Sequence, residues 1–77
     1  MKIYLSQFDY DKRYDCFVAE AHVDDVYFAV LVDPYLQNIR LYSVKGGNSA
    51  ADVRAVLALY ADMLMDNVAE QFGWKAA

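Results

Sequence analysis

Seventy-seven residues suffice for one domain with one core, and a domain of that size buries only about 60% of the surface its unfolded chain exposes. Apolar residues make up 58% and aromatic residues 16% of the chain, which excludes an intrinsically disordered chain and predicts a packed core. Eleven acidic residues against seven basic ones leave a net charge of −4, a field that repels phosphate backbones, so direct nucleic-acid binding is disfavoured and a cationic protein surface is the expected partner.

The chain opens on Met1-Lys2-Ile3-Tyr4-Leu5. This alternation starts a strand and lacks both the apolar block of a signal peptide and a run long enough to cross a membrane, so a soluble, unprocessed protein is expected. The first strand is predicted over 2–8. Asp9-Tyr10-Asp11-Lys12-Arg13 ends it with turn-favouring and charged residues. A second strand is predicted over 14–23. It carries Cys16 and His22, the one cysteine and one histidine of the chain. An intramolecular disulfide and a cysteine/histidine metal cage are therefore excluded, no cofactor is expected, and a reducing cytoplasmic setting fits.

Asp24-Asp25 lies between two apolar stretches and fits a two-residue hairpin turn, because Asp tolerates the left-handed conformation. That turn sets a register. Val23 should face Val26, Ala21 Phe28, Ala19 Val30 and Phe17 Val32 on an apolar side of the sheet. The other side should pair His22 with Tyr27, Glu20 with Ala29 and Val18 with Leu31, a mixture suited to water or a partner. The third strand should stop at Asp33-Pro34, since proline lacks a ladder donor, and a fourth is predicted over 39–44.

Lys45-Gly46-Gly47-Asn48 breaks the sheet, and Ser49 followed by Asp52 has the form of a capping box. A helix should run from there to about Phe72, with Gly73 closing it. Val53, Val56, Leu57, Tyr60, Met63, Leu64 and Val68 form its core stripe at three- and four-residue spacing. The expected fold is α+β, a four-stranded antiparallel meander with one C-terminal helix packed across one face (ββββα), in a single domain spanning the chain.

Three surfaces are candidates for function. On the helix side away from the core, Asp62, Asp66 and Glu70 follow at intervals of four, a spacing that costs about 0.2–0.5 kcal/mol per like-charged pair. Such a row is either a solvated face or a ladder for a partner's arginines and lysines. Asp9, Asp11 and Asp15 gather near the first turn and Asp24 and Asp25 at the second, at opposite ends of strand two. Asp9-x-Asp11 begins like a calcium loop but lacks its glycine and distal glutamate. The outer sheet face should expose Tyr4, Tyr14, Tyr27 and Tyr42 beside Phe8, Val18 and Leu31, a composition fit for a protein interface or dimer contact.

Enzyme readings lack support. Ser6, Ser43 and Ser49 sit in no nucleophile elbow, His22 has no partnered nucleophile, and Lys45-Gly46-Gly47-Asn48-Ser49 lacks the order of a phosphate-binding loop. Short length, acidity, a strand-rich start and the Asp62/Asp66/Glu70 row together resemble phage-encoded anti-CRISPR proteins, especially those acting on type I (Cascade) surveillance complexes. That resemblance implies an inhibitor acting in the host cytoplasm, which occupies the cationic DNA-binding surface of the effector and blocks target recognition. Asp62, Asp66 and Glu70 lead the partner-binding candidates, and Asp24, Asp25 and Tyr27 widen the interface. The alternative is a small structural or regulatory module that dimerises through its aromatic sheet face, so monomer and homodimer both stay open.

Overall fold

The computed structural model describes residues 2–33 and 35–73. Four strands, β1 (Ile3–Asp11), β2 (Cys16–Val23), β3 (Val26–Asp33) and β4 (Asn38–Val44), precede one helix, α1 (Ala50–Phe72). The strands lie in the order β1-β2-β3-β4 with every neighbour antiparallel, so the sheet is the expected meander. Pro34, expected at the end of β3, lies outside the described residues. The turn that follows is held by Asp33, whose carboxylate accepts from the backbone N–H groups of Tyr35 (2.9 Å) and Leu36 (3.1 Å).

The β2/β3 register runs as the hairpin chemistry requires, from Val23 opposite Val26 to Phe17 opposite Val32. Only Asp24 of the turn pair has a positive φ, 52°. Its N–H donates to the Lys2 carbonyl (2.8 Å) and its carboxylate accepts from the Lys2 N–H (3.0 Å), so this turn also fixes the start of β1.

β1 departs from the expected pattern midway. Ser6 pairs with Glu20 and Asp9 with Val18, which leaves Gln7 and Phe8 together opposite Ala19, and Gln7 takes φ 56° to make the bulge. One extra residue exchanges the two faces for the rest of the strand. Phe8, expected on the outer face, therefore turns inward, packs on the core and meets Phe72 edge to face at 5.1 Å. Beyond the bulge β1 continues to Asp11, and Tyr14 belongs to the turn rather than to β2.

Helix α1 covers the inner face, where Leu5, Ala19, Ala21, Val23, Phe28, Val30 and Val32 are buried against Val53, Leu64 and Val68. Each large side chain so buried contributes about 1.5–3 kcal/mol. Ser49 caps the helix with its hydroxyl accepting from the Asp52 N–H (3.1 Å), and Gly73 (φ 70°) closes it by donating to the Ala69 carbonyl. Met63 departs from the predicted stripe and is 52% exposed. The helix is turned so that Leu64 points to the sheet centre, and a period of 3.6 residues then carries its predecessor about 100° toward the rim.

The C-terminal half of α1 lies along β1, one of the two edge strands of the sheet. Leu5 points its backbone groups away from β2 there. Its N–H donates to Asn67 Oδ1 (3.2 Å), its carbonyl accepts from Gln71 Nε2 (3.2 Å), and Gln71 Nε2 also donates to Asn67 Oδ1 (2.6 Å). Two helix amides thus stand in for a fifth strand at this point of the edge.

Candidate functional site

The exposed side of α1 presents Asp62, Asp66 and Glu70 to solvent. At 1.5 Å rise per residue, intervals of four put about 6 Å between successive carboxylates along the axis. The ion pairs among the described residues are Arg13 with Asp11 (3.0 Å) and Lys45 with Glu20 (3.8 Å), so none of the described cations pairs with the ridge. The last helical turn contains no basic residue either.

Beside the ridge, a groove of about 260 Å³ opens between α1 and β1, lined by Ile3, Met63, Asp66, Asn67 and Glu70. Its floor is apolar and its wall anionic. A lysine or arginine can lay its methylene stem on Ile3 and Met63 while its head group meets Asp66 and Glu70. Leu59, 73% exposed and one turn before Met63, extends the apolar strip. Asn67, which holds the edge of β1, fixes the spacing of the two groove walls.

Of the residues singled out in the sequence, Asp62, Asp66 and Glu70 form this one ridge. Asp24 and Asp25 sit in the β2/β3 turn, at the end of β1 that carries Ile3, because Ile3 pairs with Val23. The Asp24 carboxylate is engaged by Lys2, whereas Asp25 is exposed. Tyr27 lies on the opposite sheet face and does not join the ridge. There it closes a cross-strand stack in which His22 is 4.5 Å from Tyr4 and 5.9 Å from Tyr27, ring centroid to centroid.

Sequence reasoning missed Ile3, Leu59 and Met63 as members of the site. Leu59 falls outside the predicted core stripe and adjoins the acidic row, which was the available signal. Met63 was hidden by its fit to the stripe.

At the other end of the outer face the β1/β2 turn folds onto the sheet. Arg13 bridges Asp11, lies 5.5 Å from the Tyr14 ring centre and donates to the Tyr42 hydroxyl (3.4 Å), while Tyr14 meets Tyr42 edge to face at 6.0 Å. The guanidinium holds the Asp11 carboxyl below the usual carboxylate range. Among the described residues, no three His, Cys, Asp or Glu side chains are grouped to hold a metal ion, and no helix is long and apolar enough to cross a membrane. No protein-family model, curated protein or solved structure matches this chain.

Proposed function

We propose that this domain is a protein-binding inhibitor that lays the Asp62/Asp66/Glu70 ridge and its apolar groove against a cationic surface of another protein. The observation that carries the reading is a row of exposed carboxylates, in no ion pair among the described residues, beside a groove lined by Ile3, Met63, Asp66, Asn67 and Glu70. A stability role does not account for the row, since like charges at i, i+4 and an acid in the last helical turn both work against the helix.

The narrower form of the proposal is that the surface normally receives DNA, as in a type I CRISPR surveillance complex. One charge per about 6 Å along the helix is sparser than the 3.4 Å of a DNA strand, so the ridge replaces a few phosphates of one strand rather than a duplex. Specificity then has to come from the apolar strip of Leu59, Met63 and Ile3. The test is binding of the purified chain to type I complexes with target DNA as competitor, for the wild type and for the triple variant D62K/D66K/E70K. Salt-sensitive binding that DNA displaces, weakened at least about a hundredfold in the variant, supports the proposal. Binding that is indifferent to the three reversals sinks the ridge reading, and no binding to any complex sinks its narrower form.

The competing reading, dimerisation through the outer face, draws on the exposed Tyr4 and Tyr27 rims of the ring stack. It predicts a concentration-dependent dimer that Tyr4→Ala disrupts, whereas the ridge reading predicts a mass in solution that does not respond to this change.

A further inference from the structure

We propose that the cleft between the β1/β2 and β3/β4 turns is a binding site for a small alkylated ammonium ion. Its walls are Tyr10, Phe17 and Tyr35 with the carboxylate of Asp15, around a cavity of about 280 Å³. Whole small-molecule pockets run to about 300–1,000 Å³. This one accepts a head group rather than an entire ligand.

Each wall has a structural cause. The bulge at Gln7 reverses the faces of β1, which puts Tyr10 opposite Phe17 on the same side, their rings 5.7 Å apart and tilted by 47°. Asp15 ends the turn at φ 51°, and its carboxylate accepts the Tyr10 hydroxyl proton. Tyr35 is set by the Asp33 side chain that accepts its backbone N–H (2.9 Å). The β1/β2 hairpin and the distant Tyr35 therefore deliver three rings and one carboxylate to one cleft.

The chemistry selects a cation. Aromatic faces carry negative potential and attract ammonium groups, and an alkylated ammonium loses less hydration than a bare one when it enters. The Asp15 carboxylate accepts from the Tyr10 hydroxyl and lines the cleft, so its negative charge is held at the wall. That hydrogen bond also keeps the hydroxyl protonated beyond its ordinary range, so it continues to donate to Asp15 and leaves the ring fixed as a wall. A neutral ligand of the same shape gains nothing from Asp15, and an anion is repelled by it. The cleft shares no lining residue with the groove beside the ridge on α1.

The test is an amide-resolved NMR titration of the 77-residue chain with choline and, separately, with 3,3-dimethylbutan-1-ol, its uncharged isostere. Choline should shift the amides of Tyr10, Asp15, Phe17 and Tyr35 saturably, with a dissociation constant on the order of 1 mM. The isostere should not. Asp15→Asn should weaken choline at least fivefold and Tyr35→Ala should abolish the shifts. Tyr35 is 78% exposed, so its removal should leave the fold unchanged, which the remaining amide shifts report. The triple ridge variant should bind choline as the wild type does. A short peptide carrying trimethyllysine separates the sources: tighter binding than choline assigns the site to a modified protein partner, and equal binding assigns it to free amines. Equal response to choline and the isostere, no saturable shift, or indifference to Asp15→Asn overturns the proposal.

Discussion

Gly46 and Gly47 have nearly the same backbone torsion, φ 67° and 76°, and different surroundings. A Cβ at Gly46 would lie 3.1 Å from the Tyr27 ring, whereas one at Gly47 would meet nothing within 4 Å. Gly47→Ala should therefore cost only the left-handed strain, about 1–2 kcal/mol. Gly46→Ala should cost about 1 kcal/mol more, since the ring must shift as well. Urea unfolding of both variants measures the difference, and repeating it in a Tyr27→Ala background should remove it. Tyr10 offers a second residue-level test. Its hydrogen bond to Asp15 raises the hydroxyl above the ordinary value of 10.0. A raised folded value means that the protonated form is favoured, so the contact contributes below the unfolded value and is lost as pH rises through the folded one. In an alkaline titration followed by ring NMR shifts, the Tyr10 hydroxyl should deprotonate above its ordinary range. Asp15→Ala should bring it back into line.

At the level of the element, α1 carries opposing demands. Glu70 repels Asp66 one turn back and faces the negative end of the helix, in a last turn that has no basic residue. Glu70→Lys should therefore stabilise the fold by about 0.5–1.5 kcal/mol, a rise of several degrees in the melting temperature of so small a domain. If the proposed cationic partner is real, the same variant should bind it less tightly, and these opposite signs would mark a residue kept for contact. A fall in melting temperature would show that Glu70 has a stabilising partner within the fold. Asn67→Leu tests the hold of the helix on β1: the Leu5 N–H loses its acceptor in a half-buried place, which should cost about 1–3 kcal/mol and speed hydrogen exchange at that amide. Much of this element was legible in advance, because Ser49, Gly73 and the four-residue spacing of the acids are local signals. The rotation that sends Met63 to the groove was not, since a periodic stripe is wide enough to admit several rotations. The bulge at Gln7 was equally hidden, having no glycine to mark a left-handed residue. With it went the inward turn of Phe8 and Tyr10 and hence the aromatic cleft, which turns distant in sequence assemble.

Across the whole molecule the two sheet faces are closed by different means. The helix covers the inner one except at the Tyr10/Phe17 end, and no second layer covers the outer one among the described residues. Yet Cys16, Ala29 and Leu31 are buried on that outer face, Cys16 to 2% exposure. The side chains that meet over them come from the sheet's own turn and edge: Arg13 and Tyr14 reach Tyr42 on the far strand, and Arg40 Nη2 approaches Cys16 Sγ at 4.0 Å. A cover made of one turn and two side chains of β4 opens at less cost than a helix packed by Leu64 and Val68, because few apolar contacts must separate. The lone thiol reports that opening directly. Cys16 in the wild type should react slowly with a disulfide reagent, at a rate independent of low urea concentrations if local opening of the turn controls it. Arg13→Ala with Tyr14→Ala should raise the rate at least tenfold while leaving the global unfolding midpoint nearly in place. If the rate instead follows the midpoint through both variants and denaturant, Cys16 is exposed only when the whole sheet unfolds, and the turn is part of the core rather than a cover on it.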